Sequence, residues 1–224
     1  MNEHLAFAVT ADGSKTLFNS QIGEHYHSRH GALQESRHVF LDSGLKYFLV
    51  HEKVRARILE VGFGTGLNFL VSAEYCHVNN IQLHYTGIEA FPLSPEFIIS
   101  TGYEQYVSSE LWKSYIENYT GALNGEQAIS AFCKLAIADT TLLKFESNNL
   151  FDVLFFDAFA AIHQPEMWDE QSLSHICKFI RPGGVFVTYA ITGKLKRTMK
   201  GLGFVIEKAP GAPGKREMLR AVKI

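Results

Sequence analysis

The chain is poor in cysteine, proline, net charge and long apolar runs, and each shortage excludes a class of protein. Its three cysteines (Cys76, Cys133 and Cys177) are scattered, odd in number and show no C-x-x-C spacing. A disulfide framework is not expected, and the thiols read as small core residues in a reducing compartment. No apolar run approaches the roughly 20 residues that a membrane helix needs. The opening Met1-Asn2-Glu3-His4 has no basic stretch leading into an apolar one, so no signal peptide is expected and the expected location is cytoplasmic. With six prolines there is no proline-rich linker, and no internal repeat appears. Net charge is −2 with histidines neutral, so the whole-molecule field does not announce a nucleic-acid binder. Cations do cluster locally, at Lys194, Lys196, Arg197 and Lys200 and again at Lys215, Arg216 and Arg220. On composition alone both clusters read as solvated faces. His25, His27 and His30 lie close together, but no cysteine or carboxylate set completes a metal spacing, and no metal is expected. Neither a G-x-S-x-G elbow nor an H-E-x-x-H helix is present.

What the chain has is core. Hydrophobic residues make up 46% of 224 positions, enough for one substantial domain. From residue 56 onward, strand-like apolar runs alternate with helix-compatible segments. The runs are Ala56–Val61, Ile81–Ile88, Ala131–Ala138, Val153–Asp157, Val185–Tyr189 and Phe204–Lys208, with a last one near Met218–Val222. Short, nearly continuous apolar runs followed by helices predict a mostly parallel α/β sheet of seven strands, covered on both faces. The last two runs are separated only by residues 209–214, too few for a crossover helix, so they are expected to form an antiparallel hairpin. Arg181-Pro182-Gly183-Gly184 reads as a turn. Residues 1–55 read as an extension on a single domain spanning 1–224, with a turn at Thr10–Ser14 between short strands and a helix over Ala32–Val50. Residues 90–130 read as a helical insertion whose aromatics are either its own core or a substrate platform.

The segment Ile58-Leu59-Glu60-Val61-Gly62-Phe63-Gly64-Thr65-Gly66-Leu67-Asn68 carries the chemistry. A strand ends in an acid, three glycines alternate, and a helix begins; such a turn lets backbone approach a ligand and offers it unpaired N–H groups. Dinucleotide sites favour G-x-G-x-x-G, whereas the spacing here is G-x-G-x-G with Asn68 beyond it. Glu60 would repel a pyrophosphate but suits a cationic amine and sulfonium, which favours S-adenosyl-L-methionine over a nicotinamide cofactor. Three more acids stand where later strands should end. Glu89 is placed to meet ribose hydroxyls, Asp139 an adenine amino group, and Asp157 closes the fourth run. Each alone could be a cap or a turn residue, but four in succession point to a ligand crevice.

Glu60–Asn68, Glu89-Ala90-Phe91-Pro92-Leu93, Asp157-Ala158-Phe159-Ala160 with Pro165-Glu166-Met167-Trp168, and Gly214-Lys215-Arg216-Glu217-Met218 together resemble one family, in order along nearly the whole chain. It is the methyltransferase component of the bacterial enzyme that makes 5-methylaminomethyl-2-thiouridine at the tRNA wobble position. Tyr26-His27-Ser28-Arg29-His30-Gly31-Ala32-Leu33-Gln34-Glu35 also resembles that family's opening motif. The resemblance implies a Rossmann-like class I methyltransferase fold, with tRNA (its anticodon stem-loop) as partner and S-adenosyl-L-methionine as cofactor.

It further implies that Glu60, Gly62, Phe63, Gly64, Gly66 and Asn68 hold the methionine part, with Glu89 on the ribose and Asp139 near the adenine. Tyr26, Ser28, Gly31 and Glu35 would close the site. Asp157 would contact cofactor, orient the amine of 5-aminomethyl-2-thiouridine at position 34 and take its proton, while Phe159 and Trp168 receive the base, with a core role for Trp168 the equal alternative. Phosphate contacts would come from Lys194, Lys196, Arg197, Lys215 and Arg216. Ala161 stands where family members often carry proline. The flavin-dependent oxidase domain of the bifunctional members is not expected in this chain. Two alternatives remain open: an aminopropyltransferase with a markedly acidic acceptor pocket, and an RNA-binding subunit without catalysis.

Overall fold

A computed structural model describes residues 3–50, 52 and 54–224. Met1 and Asn2 of the opening segment, and His51 and Lys53 of the N-terminal extension, lie outside the described residues.

The N-terminal residues form a small antiparallel sheet of β1 (Leu5–Val9), β2 (Lys15–Asn19) and β3 (Glu24–His25). A helix follows, built as α1 (Ala32–Glu35), a π-helical stretch over Ser36–Lys46, and α2 (Tyr47–Leu49). The β1–β2 turn caps its first turn. Ser14 Oγ accepts from the N–H groups of Ala32 and Leu33 at 3.1 Å, and an Asp12 carboxylate oxygen accepts from Gln34 N–H at 2.9 Å. These donors have no partner within the helix, so the hairpin and the helix fix one another. Gly44 lets the helix lie close to the sheet, since a Cβ there would come within 2.9 Å of Phe155 and Val187 side-chain atoms.

The main sheet comprises β4 (Arg55–Val61), β5 (Gln82–Glu89), β6 (Gln127–Ser130), β7 (Cys133–Asp139), β8 (Phe151–Phe156), β9 (Ile180–Thr188), β10 (Phe204–Pro210) and β11 (Glu217–Lys223). Their spatial order is β10-β11-β9-β8-β4-β5-β7-β6. Strands β4, β5, β7, β8 and β9 run parallel, and β10 and β11 form the expected antiparallel hairpin. Among the described residues the main sheet has eight strands rather than seven, because the end of the supposed helical insertion folds back as β6, antiparallel to β7. This edge strand is four residues long and only Ile129 in it is buried, too little to register as an apolar run. Arg181–Gly184, expected as a turn, lies inside β9, where the pairing with β8 shifts register.

Side-chain alternation divides the sheet into two cores. Ile58 and Phe155 join one with Phe40, Phe69 and Tyr115; Leu59, Leu154 and Phe156 join the other with Leu173, Ile176 and Met199. The first is covered by the N-terminal helix, α3 (Leu67–Val78), α4 (Pro95–Ser100) and α5 (Ser109–Ala122). The second is covered by α6 (Glu170–Cys177) and α7 (Gly193–Gly201). Within the insertion, Tyr103, Tyr115 and Tyr119 are buried, which favours a self-packed cap over a platform. Among the described residues, no helix is long and apolar enough to cross a membrane.

Candidate active site

Chain order reverses between β4 and β8, because the sheet grows from β4 toward β5 and β7 and then returns to add β8 and β9 on the other side. In open α/β sheets the ligand crevice lies at the carboxyl ends of the strands at that point. Register brings the four acids to this edge: Val61 pairs with Ile88 and with Phe156, Glu89 pairs with Asp139, and Asp157 N–H donates to Val61 C=O at 2.9 Å.

The glycine turn leaves β4 by donating the N–H groups of Gly62 and Phe63 to Ile88 C=O, each at 3.1 Å. Gly62 (φ 83°) and Gly66 (φ 76°) hold left-handed conformations that a side chain would strain. Substitution is also blocked sterically, since a Cβ at Gly62 would run into the Asp157 carbonyl. Phe63 departs from the expected set. Its ring is 3% exposed and points into the core beside Gly87, Phe69 and Tyr85, so it offers a ligand only backbone.

Glu60 also lies differently from the expected direct contact. It is 0% exposed and both oxygens are taken, one by the Asn68 side-chain amide at 2.8 Å and the other by Tyr85 O–H at 2.7 Å. Asn68 spends its second N–H on Asp157 Oδ2 at 2.8 Å, leaving its own buried Oδ1 without a protein partner. Burial, and then the neighbouring Asp157 charge, push the Glu60 carboxyl well above the usual carboxylate range, against the pull of its two donors. Asp157 is likewise raised well above that range, first by burial and then by Glu35, while Asn68 and Lys215 oppose the rise. Glu89 is raised by burial, although it accepts from Gly64 N–H at 2.8 Å and Phe91 N–H at 3.0 Å. Asp139 is exposed at the end of β7.

A cavity of about 280 Å³ opens beside Asp157, lined among others by Glu24, Tyr26, Glu35, Phe159, Tyr189 and Lys215. It falls at the small end of ligand sites, which run from about 300 to 1,000 Å³, and suits one compact group. Tyr26 reaches across the mouth: its ring lies against Gly64 and meets Phe159 edge-on, with centroids 5.2 Å apart. Ser28 N–H donates to Glu35 Oε2 at 2.8 Å, so Ser28 and Glu35 brace the same wall. Gly31 sits beneath the Asp12 carboxylate, where a Cβ would collide; its place is under the capping turn rather than in the cavity.

Trp168 does not present a face to a base. It is 7% exposed, its ring is met edge-on by Phe156 and Tyr189, and its indole N–H donates to Phe159 C=O at 2.7 Å. It therefore positions Phe159. Lys215, expected at a phosphate, instead lies over the Tyr189 ring at 3.8 Å and pairs with Glu35 Oε1 at 3.2 Å. Arg216 beside it is exposed, as are Lys194 and Arg197 on α7, with Lys196 half-buried. The histidines are dispersed in role: Thr16 Oγ1 lies 3.1 Å from His27 Nδ1, and burial lowers this imidazole to about 4. Among the described residues, no group of three or more His, Cys, Asp and Glu is placed to hold a metal ion.

Sequence reasoning missed Glu24, Tyr85 and Tyr189. Glu24 accepts from Ala160 N–H at 2.8 Å, bracing the Asp157 segment from β3. Tyr189 follows β9, and its strand-end position was the available signal; Tyr85 lies mid-strand and had none.

These residues fit S-adenosyl-L-methionine. The turn carries no side chain at Gly62, Gly64 and Gly66, carboxyl groups stand at the strand ends, and the buried Asn68 Oδ1 is an acceptor that a donor such as an ammonium would satisfy. Comparison with known proteins agrees. Residues 104–224 match the model of a family described as S-adenosyl-L-methionine-dependent methyltransferase. The bifunctional protein MnmC of tRNA 5-methylaminomethyl-2-thiouridine biosynthesis from Leptospira borgpetersenii serovar Hardjo-bovis is 32% identical over 218 residues, covering 91% of this chain and 33% of its own length. The protein of the same name from Paracidovorax citrulli is 29% identical over 215 residues, covering 92% of this chain and 34% of its own. The chain thus spans about a third of the length of these curated relatives. The crystal structure of MNMC2 from Aquifex aeolicus superposes with a TM-score of 0.76 at 27% identity, covering 97% of this chain and 70% of that one. With a glycine turn and acid set that suit the cofactor, and relatives matched along most of its length, this chain belongs to the S-adenosyl-L-methionine-dependent methyltransferases, as a relative of the MnmC methyltransferase domain.

Proposed function

We propose that residues 1–224 act as one cytoplasmic methyltransferase domain that methylates the primary amine of 5-aminomethyl-2-thiouridine at tRNA position 34, giving 5-methylaminomethyl-2-thiouridine. The observation that carries this reading is the cavity beside the half-buried Asp157, lined by its neighbour Ala158, an aromatic wall of Tyr26, Phe159 and Tyr189, and the acids Glu24 and Glu35. Such a cavity suits a small, flat, cationic group better than a neutral one.

In this reading the glycine turn, Glu89 and Asp139 bind the cofactor, which supplies an electrophilic methyl group when bound. Asn68 orients the Asp157 carboxyl toward the amine, with Glu60 and Tyr85 holding Asn68 from behind. The amine nitrogen would take that methyl group with its lone pair, leaving the former sulfur–carbon bonding pair with the cofactor. The surplus proton on nitrogen passes to Asp157. A carboxyl group raised above its usual range is a stronger base once ionised, as proton removal from an alkylammonium requires. Phe159, held by Trp168, stacks on the base after it leaves the anticodon loop. Lys194, Lys196 and Arg197 line the first turns of α7, where cations oppose the helix dipole; a phosphate there would relieve the conflict.

Asp157→Asn keeps the hydrogen bond to Asn68 in reach and removes the base. It is expected to bind S-adenosyl-L-methionine normally by calorimetry and to lose about 10²–10⁴-fold in turnover on hypomodified tRNA. Undiminished turnover would remove Asp157 from the mechanism.

A further inference from the structure

The proposed reaction needs Asp157 ionised, yet most of what faces it favours the proton. Asn68 bridges it to Glu60 on β4, which Tyr85 on β5 holds in turn, while Glu24 from β3 accepts from Ala160 N–H and Glu35 from α1 lines the same cavity as Ala158. Asn68 on α3 donates to it, and Tyr26, His27, Arg29 and Tyr189 complete the nearby cavity wall. Lys215 opposes the acids from the turn between β10 and β11.

That lysine is clamped. Its ammonium lies 3.2 Å from Glu35 Oε1 and 3.8 Å from the centre of the Tyr189 ring. Both partners are themselves tied to backbone around the cavity. Glu35 Oε2 accepts from Ser28 N–H at 2.8 Å, and Tyr189 O–H donates to the carbonyl of Ala158, the residue after Asp157, at 2.9 Å. Glu35 is buried, so its charge is weakly screened by solvent, and Lys215 is the cation that cancels it.

We propose that the Glu35–Lys215 ion pair is a positioning pair whose charge balance governs whether Asp157 is ionised, and with it the pH at which the site becomes active. The functional consequence rests on the reading of Asp157 as base; the physical claim does not. It gives both residues a role other than cofactor closure or phosphate binding. Removing one member leaves the other uncompensated beside Asp157. At an effective dielectric of about 20, a unit charge even about 10 Å from a carboxyl displaces its titration by about one pH unit.

The test is a 13C NMR titration of the Asp157 carboxyl carbon in the full chain labelled at aspartate, without cofactor or tRNA, with Asp157→Asn to identify the resonance. Lys215→Met should move the midpoint up by about one pH unit and Glu35→Gln should move it down by a similar amount. The double variant should return close to the parent, and Lys215→Arg should leave the midpoint in place. Midpoints that stay fixed, or that move the same way in both single variants, would overturn the proposal, as would a Lys215→Arg shift as large as that of Lys215→Met. If one single variant fails to fold, as spectral dispersion reports, the other still decides by the sign of its shift. The pH profile of kcat on hypomodified tRNA is measured in parallel. Shifted midpoints without tRNA methylation would sink the proposed function and leave the pair standing; methylation with unmoved midpoints would do the reverse.

Discussion

Replacing Glu60 by Gln tests the claim that a fully buried carboxyl group is stored behind the glycine turn. Glutamine keeps the shape and both contacts, accepting from Asn68 and donating to the Tyr85 hydroxyl in place of accepting from it. The only large change is the loss of an ionisable group at a position with 0% exposure. In the unfolded chain Glu60 titrates in the ordinary carboxylate range, whereas burial and the Asp157 charge raise it well above that range in the fold. Between the two, the folded chain retains a proton that the unfolded chain has released. Stability contributed by this group is therefore complete below the unfolded value and is lost as pH rises toward the folded one. The loss runs at up to about 1.4 kcal/mol per pH unit for one proton. Exchanging the hydrogen-bond partners costs the variant about 1 kcal/mol at any pH. Glu60→Gln should therefore be equal to or slightly less stable than the parent near pH 4.5, and should gain on it steadily toward neutrality. Urea unfolding of cofactor-free protein at half-unit pH steps measures the difference. A gap that stays flat, or that closes in the parent's favour as pH rises, would refute the account of a raised carboxyl.

Two further substitutions probe the substrate side. Trp168→Phe removes the indole donor and leaves the Phe159 carbonyl without it, at a cost of about 1–3 kcal/mol; the tRNA KM should rise while cofactor affinity by calorimetry stays unchanged. An unaltered KM would show that Phe159 needs no such support. Neutralising Lys194 and Arg197 together should lower the slope of log affinity against log salt for tRNA by about 1.4–1.8, and an unaltered slope would exclude the α7 surface.

The parallel strands were legible because burial on both faces writes them as continuous apolar runs, as in Phe151–Phe156. The acids were legible because such runs end where the crevice begins. What escaped was whatever depends on distant partners. Nothing local distinguishes Trp168 as a buried brace from an exposed platform, or turns the Phe63 ring into the core toward Gly87. Lys215 looked like one more surface cation because the β10–β11 turn brings it to Glu35, 180 positions earlier in the chain. The edge strand β6 was too short and polar to show, and the π-helical stretch over Ser36–Lys46 has no distinctive spacing of apolar residues. The apolar run places Glu60 at the end of β4, but only the positions of Asn68 and Tyr85 reveal which way its oxygens are occupied.

The central claim is tested most directly by incubating tRNA arrested at 5-aminomethyl-2-thiouridine with the protein and methyl-labelled S-adenosyl-L-methionine, then resolving the nucleosides by mass. The account predicts that label appears in 5-methylaminomethyl-2-thiouridine and that the precursor declines in step. Label in any other nucleoside, or cofactor that binds while the precursor persists unchanged, would contradict it.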